Sequence, residues 1–404
     1  MRDEMKKAPR LRFRGFQEDW ELCKVGDFGR EIYGGGTPKT SVKEFWSGTL
    51  PWIQSSDLKE DKVCDIKAKK HISVKAIQQS SAKKISKNSI AIVTRVSVGK
   101  LVLMPYEYAT SQDFLSISVL QVDKWFGVYS LYNKLQSELN SVQGTSIKGI
   151  TKDELLNKKI MIPKPLKEQS KIGLFLKKID TTIALHQRKL DQLKELKKAY
   201  LQVMFPAKDE TVPRMRFAYF EGEWELCKLG DFLIVPPKIK ATIDNPSDLM
   251  TVKLNLGGVY SGASRDTLSL GSTIYYKRFS GQFIYGKQNF FNGSMAIIPK
   301  ELHGKATSGD VPSFDIININ KDYLFYFISR KSYWKSKEVE ATGTGSKRIH
   351  EKTLQNFSIL VPLKDEQIRI STFCEKIDDT ITLHQNKLNQ LKSLKKSYLQ
   401  NMFI

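Results

Sequence analysis

The chain has 404 residues, and its 65 lysines and arginines against 43 aspartates and glutamates give a formal net charge of +22. This length allows two or three domains with cores of their own, and the positive charge favours a polyanionic partner, either nucleic acid or an acidic membrane surface. No apolar run approaches the roughly 20 residues of a membrane span, the charged start MRDEMKKAPR is unlike a secretory signal, and the four cysteines form no CxxC pair, which suits a reducing cytosol.

The chain contains an internal repeat. Residues 9–28 return as 213–232 with thirteen of twenty positions identical, and residues 178–205 return as 376–403 with closer agreement still. Cys23 and Cys227 are equivalent in this repeat, which favours two small core residues over a bridge. Because the segments between the anchors differ far more, we predict a duplicated frame that holds two different recognition surfaces at a fixed spacing.

The first insert, residues 20–165, has the pattern of short strands mixed with helices. The stretch 85–105 alternates apolar and polar positions, with turn residues at 87–88 and at Gly99, and this predicts a half-buried hairpin. The stretch 124–140 predicts an amphipathic helix whose aromatic side chains belong to the core.

The second insert, residues 233–362, has a matching skeleton. GSMAIIP corresponds to GKLVLMP, ATSGD to ATSQD and GTGSKRI to GTSIKGI, and the aromatic stretch 322–337 stands where the helix at 124–140 stood. The opening stretches differ most, since YGGGTPKTSVKEFW (33–46) has no counterpart in 235–248. The two inserts are therefore predicted to share one α+β fold with different surfaces.

A long helix with a heptad pattern follows each insert. Apolar positions alternate spacings of four and three residues, which is the signature of a coiled coil, and a helix of about 38 residues would be about 57 Å long. Because such a stripe needs a partner, we predict that the two helices pack as an antiparallel coiled coil with pseudo-two-fold symmetry. The predicted seam includes Ile183, His186, Leu190, Leu193 and Tyr200, and their copies Ile381, His384, Leu388, Leu391 and Tyr398.

Polar residues in this seam allow two interpretations. His186 and His384 fit a metal pair or a pH switch, but they also fit a role in setting the register of the helices, as do Lys197 and Lys395. Their presence in both copies favours the role in register, and no metal site is predicted.

Catalytic motifs are missing from the sequence. GTGSKR (343–348) lacks the spacing of the GxxxxGK[ST] phosphate loop, and the chain has no GxGxxG, no HExxH and no Asn-Pro-Pro-aromatic run of the kind that amino-methyltransferases use to hold a flipped base. Glu195-Leu-Lys197 matches only a fragment of a nuclease site and lies within the heptads. No catalytic residue is predicted, and a binding subunit is favoured over an enzyme.

The order of these segments resembles the specificity subunit of a type I restriction–modification system over nearly the whole chain. The resemblance rests on the PRLRF…W opening and its copy, the GGGTP…W…LPWI block, the closing GTxxK loops, the L-x-x-E-Q segments and the I-D-x-T-I-x-L-H-Q helices. It implies target-recognition domains at 1–165 and 208–363, a central coiled-coil helix at 166–207 and a distal one at 364–404.

The resemblance also implies partners for the chain. Each domain would read one half of a bipartite, asymmetric site in double-stranded DNA, and the helices would space the domains and dock two methyltransferase subunits. S-adenosylmethionine, ATP and Mg would belong to the methyltransferase and restriction subunits, and this chain would hold no cofactor. The implied location is the bacterial cytoplasm, at the nucleoid rather than a membrane.

Loops of the two inserts supply the candidate DNA contacts. Lysine and arginine neutralise phosphates, Arg95 has the fork that suits guanine, and Gln112 suits adenine. Each candidate also fits a structural turn, and the closing loops suit a backbone phosphate. The candidates are Gly35, Gly36, Thr37, Lys39, Thr94, Arg95, Ser97, Lys100, Ser111, Gln112, Thr145 and Lys148 in the first domain, and Lys287, Gln288, Asn289, Thr307, Ser308, Thr344, Lys347 and Arg348 in the second.

Two other classes of function remain open from the sequence. One is an enzyme with a site of its own, and the missing motifs argue against it. The other is a coiled-coil scaffold whose inserts bind protein partners. The net charge and the loops rich in Gly, Thr and Lys favour DNA over that alternative.

Overall fold

The structure is a computed structural model, and it describes residues 7–141, 149–262, 273–343 and 347–404. It divides into two units, one formed by residues 1–188 and 384–404 and the other by residues 189–383. Each unit therefore contains one insert together with parts of both long helices. No helix in the described ranges combines the length and the apolar character that a membrane crossing requires.

The first unit contains a four-stranded antiparallel sheet. Its strands and short helices are β1 Glu21–Lys24, β2 Gly29–Gly34, β3 Leu50–Ile53, β4 Lys70–Ile72, α1 Val74–Gln79, β5 Ser89–Val93, β6 Leu101–Met104, β7 Ala109–Thr110, β8 Phe114–Leu120, α2 Lys124–Ser141, α3 Lys152–Asn157 and β9 Lys159–Ile162. The order in the sheet is β2-β8-β5-β6. A smaller sheet, β4-β3-β7, and the antiparallel pair β1-β9 hold the other strands.

The second unit has a corresponding four-stranded sheet. The long helix α4 Leu166–Val203 leads into it, and its elements are β10 Glu225–Lys228, β11 Leu233–Ile234, β12 Met250–Val252, β13 Val259–Ser261, β14 Tyr275–Lys277, β15 Phe283–Tyr285, β16 Met295–Ile297, β17 Ala306–Ser308, β18 Ser313–Ile316, α5 Lys321–Ser329, α6 Lys331–Ser336, α7 Glu351–Gln355, β19 Ser358–Val361 and the long helix α8 Lys364–Met402. The sheet order is β11-β18-β15-β16, which matches that of the first unit. The predicted α+β class with two similar domains agrees with these topologies.

The hairpin predicted at 85–105 is present as β5 and β6. These strands pair antiparallel, and Asn88 and Gly99 take positive φ values of 60° and 89° at their ends. The prediction of half-burial was wrong, because both faces of the hairpin are covered. One face carries Ile90, Ile92, Leu101 and Leu103 into the main core, and the other carries Ala91, Val93, Val102 and Met104 into a second apolar cluster.

The predicted aromatic helix is α2, and its Phe126, Tyr129 and Tyr132 are buried as expected. The matching stretch of the second insert forms two helices, α5 and α6. The break falls at Arg330, whose ψ of 128° is extended. Its guanidinium donates to the Pro206 carbonyl at 3.1 Å and lies over the ring of Phe327 at 4.2 Å.

Hydrogen bonds link the start of each long helix to the repeated segment that precedes the insert of the same half. Arg12 donates two hydrogen bonds to the carboxylate of Glu168, at 2.7 and 2.8 Å. Arg216 donates two to the carboxylate of Glu366 at the same distances. Gln169 accepts from the Asp123 amide and donates to the Pro163 carbonyl. These contacts explain why PRxRF and the Glu-Gln pair occur together in both halves.

The end of a long helix completes the core of each unit. In the first unit the core includes Met402 and Phe403 at the end of α8, and the Leu11 amide donates to the Asn401 carbonyl at 2.8 Å. In the second unit Met204 and Phe205, at the end of α4, have the same role. The core of neither unit is therefore made by its insert alone.

Candidate nucleic-acid interface

The loop after β2 passes very close to the chain around β7. The Gly36 amide donates to the Thr110 carbonyl at 2.9 Å and the Gly35 amide to the Phe114 carbonyl at 3.2 Å. A Cβ atom on Gly35 would lie 1.8 Å from the Ser111 carbonyl oxygen, and one on Gly36 would lie 2.2 Å from that of Ser81. These two glycines are therefore required by close backbone packing, whereas Thr37 is half-buried and Lys39 is exposed.

Two tryptophans hold this loop, and the sequence did not identify this role. The indole N–H of Trp52 donates to the Gly36 carbonyl at 3.0 Å, and that of Trp46 donates to the Lys39 carbonyl at 3.2 Å. The two rings meet edge to face with centroids 5.0 Å apart. The only sequence signal was the spacing of the tryptophans behind the GGGTP block.

The loops at 94–97 and 111–112 meet at the Asp113 carbonyl. The amide and the hydroxyl of Thr94 donate to it at 2.8 and 3.1 Å, and the Ser111 hydroxyl contacts the Asp113 carboxylate at 3.3 Å. Thr94 and Ser111 are buried. Their side chains are engaged within the protein, so the structure favours a structural role for them over the predicted base contacts.

The other candidates of the first unit remain accessible. Arg95, Ser97 and Gln112 are exposed. The Lys100 ammonium is 4.0 Å from the Glu60 carboxylate. Three loops predicted from separate parts of the sequence therefore converge. The backbone of residues 35–36 is hydrogen-bonded to that of residues 110–114, and the backbone of residues 94–95 is hydrogen-bonded to the Asp113 carbonyl. Thr145 and Lys148 lie outside the described residues, but the neighbouring Ile150 amide donates to the Thr94 carbonyl at 2.8 Å.

The second unit repeats this backbone arrangement with different side chains. The Lys287 amide donates to the Asp310 carbonyl, and the Ile349 amide donates to the Lys287 carbonyl, both at 2.9 Å. Lys287 therefore occupies the place of Thr94. Its ammonium lies 3.0 Å from the Glu351 carboxylate. Burial raises the pKa of Glu351, but hydrogen bonds and the charge of Lys287 outweigh this effect and lower the pKa overall.

Ion pairs also engage the basic residues of the second closing loop. Arg348 donates to Asp310 at 2.9 Å and Lys347 to Glu338 at 3.1 Å. Thr344 lies outside the described residues. Gln288 is exposed, and Asn289 is half-buried, with its side-chain oxygen accepting from Asn292. Lys347 is exposed as well, but its ammonium is engaged by Glu338.

A buried arginine supports the loop at 307–311. Arg278 donates to the Thr307 hydroxyl at 2.8 Å and to the Val311 carbonyl at 3.2 Å, and its side chain is almost inaccessible. Burial lowers the pKa of Arg278 to about 10. Thr307 is thereby turned inward while Ser308 stays half-buried. In the sequence Arg278 follows Lys277 in a basic run, so nothing distinguished it from a solvated surface residue.

The two histidines of the predicted seam contact each other in the structure. The Nδ1 atoms of His186 and His384 lie 3.2 Å apart, within hydrogen-bond distance. Within the described ranges no third His, Cys, Asp or Glu joins them to form a group that could hold a metal ion. All ten predicted seam residues are buried or half-buried.

The long helices also carry apolar side chains that face solvent. Leu185 and Leu383 are equivalent in the repeat and are 61% and 68% exposed. Leu196 and Leu394, each eleven residues further along its helix, are exposed as well. Residues eleven apart lie on almost the same helix face, so each helix has an uncovered apolar strip.

Comparisons of the sequence with known proteins give matches to a single family. A model of the type I restriction modification DNA specificity domain matches residues 17–195 and again residues 221–393. Two curated relatives come from Methanocaldococcus jannaschii. The type I restriction enzyme MjaIX specificity subunit is 24% identical over 95% of this chain and 93% of its own length, and the MjaVIII specificity subunit is 22% identical over 95% and 91%.

Solved structures show the same fold. The S subunit of a type I restriction–modification system from M. genitalium aligns with a TM-score of 0.64 at 13% identity and covers 98% of this chain and 99% of its own. A chain from a structural study of complex assembly and conformational transition in the type I R-M system aligns with a TM-score of 0.52 at 15% identity, covering 94% and 96%.

Proposed function

The chain belongs to the family of type I restriction modification DNA specificity proteins, and from that premise we propose that its two recognition domains read the two halves of a bipartite, asymmetric DNA site. The domains are the non-catalytic part of a larger complex. Two methyltransferase subunits bring S-adenosylmethionine, and restriction subunits bring ATP and Mg for cleavage.

The observation that carries this proposal is the repeated loop arrangement with different exposed side chains. In the first unit the loop held by the Asp113 carbonyl presents Arg95, and in the second the loop held by Asp310 presents Gln288. Arginine forks to guanine and glutamine to adenine in the major groove. Because the two loops share a backbone arrangement but expose different side chains, we expect the two domains to read different half-sites.

Basic side chains around these loops are expected to supply most of the affinity. Each phosphate neutralised by a lysine or arginine releases counterions, so binding should weaken steeply with salt. The ion pairs of Lys287, Lys347 and Arg348 make them weaker candidates for phosphate contacts than the exposed Lys39.

The long helices are expected to form the antiparallel coiled coil that sets the spacing between half-sites. Contacts within each unit support this proposal. In the first, Phe175 meets Tyr398 with ring centroids 4.8 Å apart, and in the second Tyr200 meets Phe373 at 4.9 Å. The exposed leucine strips are the surfaces on which we expect the methyltransferase subunits to dock, because helices of a partner would cover them.

The experiment that tests the proposal is single-molecule methylome sequencing of host DNA with the gene present and deleted, beside its own methyltransferase. A bipartite, asymmetric methyl-adenine motif should disappear on deletion. An unchanged methylome, with both proteins expressed, would contradict the proposal and favour a scaffold that binds protein partners.

A further inference from the structure

The GGGTP loop of the first unit is held by side chains that the repeated frame does not contain. Trp20 has its equivalent at Trp224 in the second copy, but Trp46 and Trp52 have none, since no tryptophan occurs in 225–333. Both tryptophans lie in the first insert, so their effect on recognition should be confined to the half-site that the first domain reads. On the basis of the proposed function, we propose that Trp46 and Trp52 are positioning residues for reading the first half-site.

The tryptophans close a ring of contacts around Gly36. Its amide donates to the Thr110 carbonyl and its own carbonyl accepts from the Trp52 indole. Thr110 and Trp52 belong to neighbouring strands, β7 and β3, which pair in parallel. Both ends of the Gly36 peptide are therefore fixed to one small sheet.

Lys39 is held in a similar way at the far end of the loop. Its carbonyl accepts from the Trp46 indole at 3.2 Å and from the Val42 amide at 3.2 Å. The Lys70 ammonium lies 5.3 Å from the Trp46 ring centre and 5.7 Å from that of Trp52. Such cation–π contacts favour the paired arrangement of the rings.

Fixing the loop matters for discrimination between DNA sequences. Between the two anchors the side chain of Thr37 is half-buried, and at the second anchor the side chain of Lys39 is exposed to solvent. A loop held in one conformation loses little freedom on binding and cannot adjust to a wrong base. A loosened loop should still reach phosphates, so the tryptophans should affect the choice of sequence more than total affinity.

The test compares Trp52→Phe and Trp46→Phe with Trp334→Phe in the full chain co-purified with its methyltransferase. Each variant keeps an aromatic ring and loses one indole hydrogen bond. The Trp334 bond, to the Ser329 carbonyl at 3.1 Å, lies in the core of the second unit and therefore outside the first insert. Initial methylation rates are measured on the cognate duplex and on duplexes with one wrong base in either half-site.

We expect Trp52→Phe and Trp46→Phe to reduce discrimination in one half-site about tenfold, the scale of a single good base contact, with the other half-site unchanged. Trp334→Phe should change discrimination in neither half-site. Unchanged discrimination in both loop variants, at a temperature where each is folded by circular dichroism, would overturn the inference. An equal loss of rate on all duplexes would also overturn it. A wild-type complex without sequence preference would instead overturn the proposed function, so the two failures are distinguishable. Because Trp46 is only half-buried, its variant keeps the test decisive if Trp52→Phe does not fold.

Discussion

Lys395 of α8 and Asp180 of α4 form a buried ion pair, with Nζ and Oδ1 2.7 Å apart. Asp180 also accepts a hydrogen bond from Tyr129 of α2 at 2.7 Å. The Lys395 ammonium donates to the Asp61 carbonyl at 3.2 Å. A lysine with so little exposure is tolerated at this position because these oxygen atoms replace the water that would otherwise solvate its charge. The pair ties both long helices to the insert of the first unit.

The second unit contains the same pair in a more open setting. Lys197 contacts Asp378 at 2.6 Å, and Tyr326 donates to Asp378 at 2.9 Å. Here the lysine and aspartate side chains are 28% and 36% exposed, against 8% and 12% for Lys395 and Asp180. The lysine of one repeat therefore pairs with the aspartate of the other in both units. The role of the two lysines in setting the register of the helices stays a prediction, and this reciprocal pairing is compatible with it.

Replacing Lys395 by methionine should destabilise the first unit by about 3 kcal/mol, because Asp180 would be left as a buried charge without its cation. The matched change Lys197→Met should cost about 1 kcal/mol or less, since water screens that pair. Urea unfolding followed by circular dichroism measures both. Equal losses of stability in the two variants would contradict the difference in exposure between the two ion pairs.

A circularly permuted chain should fold and direct methylation. The Leu11 amide bonds to the Asn401 carbonyl, so a short linker from Ile404 to Pro9 spans a small gap. New ends between 207 and 211 would fall in a turn, where permutation is tolerated best. Loss of soluble protein would count against the close approach of residues 11 and 401, and a linear chain carrying the same linker at its C-terminus is the control.

The sequence predicted the frame of the molecule better than its recognition surfaces. Periodicity and repetition revealed the long helices and the hairpin at 85–105, since these depend on local pattern. The pattern did not reveal that both faces of that hairpin are buried, because the second apolar cluster comes from distant parts of the chain, including Ile53 and Tyr108.

Single residues in the loops were harder to predict for the same reason. Thr94 and Thr307 are of a residue type that reads bases, but both hydroxyls are engaged within the protein. The Thr94 hydroxyl donates to the Asp113 carbonyl, and the Thr307 hydroxyl accepts from Arg278. Whether a short polar side chain points inward depends on tertiary contacts that no local pattern encodes. Arg95, Gln112 and Gln288 remain predictions with accessible side chains.

Alkaline pH should unfold both units. Burial raises the pKa of Tyr108 and Tyr129 in the first unit and of Tyr285 and Tyr323 in the second. The pKa of tyrosine in an unfolded chain is about 10, so the stabilisation is complete below that pH and is lost as pH rises toward the pKa values of the folded state. Absorbance at 295 nm should rise together with the loss of ellipticity. Ionisation of all tyrosines near pH 10 without unfolding would contradict this expectation.

The exposed leucines should be needed for docking of the methyltransferase. Leu185→Glu with Leu383→Glu should weaken co-purification of that subunit about tenfold or more, because charges would face an apolar contact. Lys194→Glu with Lys392→Glu is the matched control, nine residues further along each helix and thus on the opposite face. Equal effects of the two double variants would argue for a general charge effect instead.

Arg278 should determine discrimination in the second half-site. Lysine at this position keeps the charge but loses the planar fork that binds both the Thr307 hydroxyl and the Val311 carbonyl. We expect Arg278→Lys to reduce discrimination in that half-site about tenfold, with the first half-site unaffected.

Arg330→Lys is the matched control for that variant. Arg330 is half-buried in the same unit, and burial lowers its pKa to about 10, as it does for Arg278. It donates to carbonyls of Pro206 and Phe327 rather than to a loop that carries predicted base contacts. If Arg330→Lys loses discrimination to the same extent, general loosening of the second unit is sufficient to explain the effect of Arg278→Lys. Loss in Arg278→Lys alone would mean that the hydrogen bonds to the 307–311 loop set the geometry that reads the bases.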